Sequence, residues 1–170
     1  MKRQTVQMMT KLAALVVVVA ADACAEERRA ESQRIVVSIP DKKLALFEGD
    51  RLVKVYDVAV GKTSTPTPEG EFRVISHLAN PTYYGEHVVI APGKNNPLGT
   101  RWMGLSAKGY GIHGTNVPDS IGHAASHGCI RMRQHDLEEL FDRVHVGAIV
   151  ELHGDRPALI AQVLTASSTD

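Results

Sequence analysis

Four residues in one short stretch could do chemistry: His113, His123, His127 and Cys129, with every histidine within sixteen positions of the thiol. Two chemistries use such a set. The first is a zinc site, since imidazole and thiolate are suitable donors for that metal. Zinc sites usually take histidine pairs from a formed helix at i,i+4 spacing, or cysteines in C-x2-C pairs. "GHAASHGC" has glycine on both sides, no helical pattern, no second cysteine and no carboxylate in the run. The spacing therefore argues against a metal.

The second chemistry is nucleophilic. A free thiol is only about 3% ionised at neutral pH, and an imidazole beside it raises the reactive fraction by taking the proton. A further group must then hold the ring in the right tautomer. Gly128 immediately precedes Cys129, placed where a backbone N–H could approach a reacting carbonyl and form an oxyanion hole. The plain alternative is an inert buried cysteine. Such a residue would sit more naturally inside a Val/Ile run than behind Ser126-His127-Gly128.

The other cysteine, Cys24, lies in an N-terminal segment with the marks of a secretory leader. Lys2, Arg3 and Lys11 precede ten apolar residues, Leu12 to Ala21, and Ala23-Cys24-Ala25 fits an A-x-A cleavage site before a charged run. The apolar run is about half the length a membrane-spanning helix needs. A lipid-attachment box would want Leu and a small uncharged residue where Ala21 and Asp22 stand. Residues 1–25 are thus expected to be a signal peptide and 26–33 a linker, with the domain over 34–152 and a tail over 153–170. The chain left after cleavage would carry a net charge of about −2 and one thiol, Cys129. A single thiol cannot form an internal disulfide, and the absence of basic excess gives no reason to expect a nucleic-acid partner. The leader implies export, to the periplasm or cell envelope.

The elements that must position the thiol read as β. "RIVVSI" (34–39), "KLALFE" (43–48) and "RLVKVYDVAV" (51–60) are joined by "PDK" and "GD" turns, which predicts an antiparallel meander. The alternation in the third run is only partly clean, so part of that strand is expected to be covered on both faces. "TSTPTPEG" (63–70) is a loop. Further β runs are predicted at 71–78, 87–92, 101–106, 109–114 and 148–152. One helix is predicted in "HDLEELFDRVHVG", with Asp136 as N-cap, Glu139 completing a capping box, and Gly147 as the stop. Leu137, Leu140, Phe141 and Val144 form its apolar face.

"GIHGTN" (111–116) followed by "SHGCIRM" (126–132), with sixteen residues from His113 to Cys129, resembles the signature of the L,D-transpeptidase (YkuD-like) catalytic domain family. "TPTPEGEFRV" (65–74) and "NPLGTRWMGL" (96–105) are similar to further segments of that family in the same order. The resemblance implies a β-sandwich-like fold with one internal helix, and a cysteine enzyme acting on peptidoglycan stem peptides without a cofactor. It implies Cys129 as nucleophile and His113 as proton acceptor and donor. Gly114 would orient that histidine through its backbone carbonyl. Ser126, His127, Gly128 and Arg131 would serve site shape, oxyanion stabilisation and substrate binding, with a carboxylate a suitable partner for Arg131. The acyl acceptor could be another stem's amine, a lysine of an envelope lipoprotein, or water. A wall-binding module without catalysis is the rival from another class, and it has no use for both His113 and Cys129. His77, His87, His123, His135, His145 and His153 are read as surface or core residues. Trp102, Tyr83 and Tyr84 could line a groove or simply pack.

Overall fold

A computed structural model describes residues 33–158 and 160–162. The expected leader and all but the last residue of the linker lie outside these residues, as does the end of the tail. β1 (Gln33–Ser38), β2 (Lys43–Glu48) and β3 (Arg51–Gly61) form the predicted antiparallel meander. β4 (Gly70–Ala79) follows the Pro/Thr loop. Then come a short hairpin, β5 (Tyr83–Tyr84) with β6 (Val89–Ile90), and strands β7 (Arg101–Leu105) and β8 (Gly111–His113). After a single 3-10 turn at Pro118–Ser120 the chain forms β9 (Ala124–Ser126), β10 (Ile130–Met132), helix α1 (Gln134–Arg143) and β11 (Ile149–His153).

The pairings run β10-β8-β7-β4-β11-β1-β2-β3 and return, because β10 also pairs with β3. This closure leaves neither β10 nor β3 as an open edge, the usual hazard of a sheet. β3 reaches both neighbours by its length. It pairs with β2 up to Asp57, then with β9 through Val60 and Gly61 on the side β2 vacates, and with β10 through Val58 and Ala59. Its buried end, Val58 to Gly61, is the doubly covered part that the imperfect alternation implied.

Inward-facing Ile35, Val37, Leu44, Leu46, Met103, Ile112, Ile130 and Met132 form the main core with Leu137 and Leu140 of α1. The opposite face of β1 and β2 is covered too. There Val36, Ala45 and Phe47 pack against Ile160, which is 1% exposed. The segment read as a tail therefore begins as a docked element: the chain is helical at 158 and 160–162, and Arg156 pairs with Asp41.

α1 differs from expectation at both ends. Arg133 is its N-cap and no side chain caps it; Asp136 lies inside the first turn, where its charge still favours the helix dipole. The side chain of Gln134 bonds Thr100 and Glu138, which anchors the start of the helix earlier than local capping chemistry suggests. At the other end Val144 turns extended and enters the core at 2% exposure, ending the helix before Gly147. Gly147 (φ 100°) instead makes the turn into β11. The run 87–92 contributes only the two residues of β6.

Candidate active site

β8 and β10 lie side by side and parallel, with Ile112 opposite Ile130 and His113 opposite Arg131. Side chains alternate along a strand, so His113 and Arg131 share one face while Ile112 and Ile130 enter the core on the other. Cys129 stands one residue before β10, level with Gly111 and on the same face as Arg131. The row continues across the sheet, since Trp102 on β7 is opposite His113 and Leu78 on β4 is opposite Trp102. Leu78, Trp102, His113 and Arg131 thus form one line across four strands. All four, with Cys129, line a single cavity of about 460 Å³. Its far wall is Pro81 to Tyr84 and Pro97-Leu98.

His113 is 5% exposed. Its Nδ1 lies 2.6 Å from the Gly114 carbonyl oxygen, which can only accept, so Nδ1 carries the proton and Nε2 is the free base. Gly114 itself is fixed by its N–H donating to Leu98 O at 2.8 Å. The indole of Trp102 stacks on the imidazole, with centroids 5.5 Å apart and planes at 23°. Burial pulls the His113 pKa down to about 4, against the Gly114 hydrogen bond, which raises it, while the charge of Arg131 lowers it further. The Cys129 thiol is partly buried and donates toward Gly109 O at 3.7 Å. Burial pushes its pKa up, opposed by the backbone at Gly111 and by Arg131. The resting pair is therefore neutral thiol and neutral imidazole.

The turn carrying Cys129 is tied by Ser126, which is fully buried. Its Oγ donates to Cys129 O at 2.6 Å and accepts from Gly128 N–H at 3.0 Å. Gly128 has φ 111°, and a Cβ there would sit 2.6 Å from the Tyr110 ring. Its N–H is spent on Ser126, so Gly128 supplies backbone shape, and the expected oxyanion donor is better sought at the N–H of Cys129. The Pro/Thr loop backs the same turn through Thr65 Oγ1 and Lys62 N–H, both donating to Ser126 O.

His127 lines the cavity mouth and is exposed; His123 is exposed outside it. His77 stacks on Phe141 of α1, and His153 bonds Glu151. Among the described residues no group of three or more His, Cys, Asp or Glu could hold a metal ion.

Sequence reasoning missed Asn96. It is 1% exposed, and its amide Nδ2 lies 2.8, 3.2 and 3.3 Å from the carbonyls of Pro81, Ile90 and Ala91. Its Oδ1 accepts from Leu98 N–H at 2.8 Å. One side chain thus gathers both ends of the β5–β6 hairpin and the Pro97-Leu98 wall. Asn before Pro reads locally as a turn, and nothing in a single sequence marks a side chain that bonds carbonyls six and fifteen residues away.

The sequence model of the L,D-transpeptidase catalytic domain (YkuD) matches residues 32–152. The YkuD protein of Bacillus licheniformis is 45% identical over 119 residues, covering 70% of this chain and 64% of that one. YqjB of Bacillus subtilis is 41% identical over 71% of each chain. YcfS of Escherichia coli is 32% identical over 72% of this chain but 44% of its own, so the chain spans less than half of that relative. Among solved structures, the Ldtfm-avibactam carbamoyl enzyme superposes with a TM-score of 0.63 at 26% identity, covering 74% of this chain and 50% of that one. A Mycobacterium smegmatis L,D-transpeptidase, at 18% identity and a TM-score of 0.62 over 72% of this chain and 59% of its own, shows the shared fold. A closed β architecture with one main helix, Cys129 and His113 lining one cavity, and these matches together place the chain in the L,D-transpeptidase (YkuD) catalytic domain family.

Proposed function

We propose that the protein is an L,D-transpeptidase that acts on peptidoglycan tetrapeptide stems through an acyl-enzyme on Cys129. The observation that carries this reading is a thiol and a buried, tautomer-fixed imidazole on one face of adjacent strands, lining one cavity. The carbamoyl-enzyme state of a relative 26% identical supports a covalent intermediate on this fold.

With both groups neutral, the thiol proton passes to His113 Nε2 as Sγ attacks the carbonyl of the third stem residue, a diamino acid. Gly114 O strengthens its hold on Nδ1–H as the ring becomes cationic, the orienting role of a triad's third member. The backbone N–H of Cys129 faces the tetrahedral oxyanion. His113 then returns the proton to the leaving nitrogen and terminal D-Ala departs, leaving a thioester. An incoming amine gives up its proton to His113, attacks the thioester and restores the thiol. A second stem's diamino acid as acceptor gives a 3-3 cross-link, and a lipoprotein lysine gives a protein anchor; water instead makes the enzyme a carboxypeptidase. No step calls for a metal or organic cofactor. The substrate requires an exported enzyme, in the periplasm or cell envelope, as the leader suggests.

The test is incubation with purified muropeptides, with and without chelator, following D-Ala release and new cross-links by mass spectrometry. Turnover indifferent to chelator and abolished in Cys129→Ala is expected. Chelator-sensitive turnover, or turnover that persists in Cys129→Ala, would overturn the mechanism.

A further inference from the structure

Arg131 brings a positive charge into the cavity with no carboxylate among the described residues paired to it. Its side chain makes no hydrogen bond or ion pair with any described residue, and no Asp or Glu lines the cavity. The contrast is on the same strand end: Arg133, two residues on, pairs with Asp57. A half-buried guanidinium without a partner has lost hydration and gained nothing in return, an arrangement that costs free energy until an anion arrives. Its planar fork suits a carboxylate in two parallel hydrogen bonds.

Position says which carboxylate. Arg131 is the direct cross-strand neighbour of His113, and adjacent strands lie about 4.8 Å apart. The substrate nitrogen that receives the proton from His113 therefore lies within a few ångströms of the group that Arg131 attracts. An amine and a carboxylate that close together belong to one α-amino acid. Resting on the proposed acyl transfer, we infer that Arg131 is an anion subsite that binds the free α-carboxylate of the amino acid expelled from the stem, so that the enzyme selects stems ending at that residue. The charge of Arg131 is felt at both His113 and Cys129, consistent with its place beside His113 and two residues from the thiol.

Two alkylating agents test the subsite without any peptidoglycan. Iodoacetamide is neutral and iodoacetate anionic, but both form the same carbon–sulfur bond with loss of iodide. Their rate ratio on Cys129 at one pH thus cancels thiol ionisation, and circular dichroism of each variant checks that the labelled protein is folded. In the full chain the iodoacetate-to-iodoacetamide ratio should fall roughly tenfold in Arg131→Gln and be largely retained in Arg131→Lys. A ratio unchanged in Arg131→Gln would overturn the subsite. A second arm compares a tetrapeptide stem with its C-terminal amide. The free acid should show a KM at least about tenfold lower than the amide, a preference lost in Arg131→Gln. Equal handling of acid and amide by the unaltered enzyme would overturn the assignment to the leaving group. If the alkylation ratio falls yet neither stem is turned over, the anion subsite stands and the proposed peptidoglycan activity does not.

Discussion

Acid should weaken this fold through His113 in particular. The ring is 5% exposed and its pKa lies near 4 in the folded chain, against about 6.5 when unfolded. A depressed histidine pKa means that the unfolded chain binds the extra proton more readily, so stability is lost as pH falls through the unfolded value and goes on falling until the folded value is reached. With those two values the loss between about pH 7 and pH 5 is on the order of 2 kcal/mol, and about 3 kcal/mol by pH 4. Carboxylates such as Asp57 and Glu139, held below their usual range by Lys43 and Lys54, add acid sensitivity of their own at lower pH. His77, lowered by burial, adds to the loss in the same window. A difference measurement removes them. Urea unfolding of the unaltered chain and of His113→Gln, at about pH 7, 6 and 5, gives two stability curves. The variant should be less stable at neutral pH, because it loses the ring packed on Trp102. Its deficit should shrink by about 2 kcal/mol at pH 5. A deficit that stays constant across the three pH values would refute the depressed pKa, and with it the neutral resting pair.

Three further outcomes follow from the same geometry. Iodoacetamide labelling of Cys129 should be slow at neutral pH and climb only above the ordinary thiol range, because burial raises the thiol pKa; rapid labelling at pH 6 would mean a preformed thiolate–imidazolium pair. Gly128→Ala should destabilise the domain by about 2 kcal/mol and cut turnover, since φ 111° and the Tyr110 ring both exclude a side chain; thermal melting that matches the unaltered chain would contradict this. Asn96→Ala should raise KM more than it lowers kcat, by loosening the hairpin wall. Asn96→Asp should be worse than Asn96→Ala, because a carboxylate would face three carbonyl oxygens; an aspartate variant with unaltered KM would show that the wall does not depend on this amide.

Cys129 and His113 could be singled out as candidates because thiol–imidazole chemistry is confined to few residue types, and the spacing between them folds into two parallel strands, β8 and β10, in register. The meander of β1 to β3 was legible from turn chemistry between apolar runs. What the chain could not show in one dimension is which strands become neighbours. The return pairing of β10 to β3, which sets Met132 against Val58, joins segments more than seventy residues apart, and the row Leu78-Trp102-His113-Arg131 draws on four separate strands. Local capping rules placed the start of α1 at Asp136, whereas a tertiary bond from Gln134 to Thr100 places it earlier. Gly128 was read as an oxyanion donor because its N–H lies beside the thiol in sequence. Ser126 Oγ, buried behind it, takes that N–H instead.

The central claim is a covalent one, so the most direct measurement is the intact mass of the protein quenched during turnover of a tetrapeptide stem. The expected result is an adduct equal to the stem's mass less that of the released D-Ala, mapped by peptide digestion to Cys129 and absent from Cys129→Ala. D-Ala released without any adduct on Cys129, and still released by the alanine variant, would contradict the acyl-enzyme and the role of this thiol.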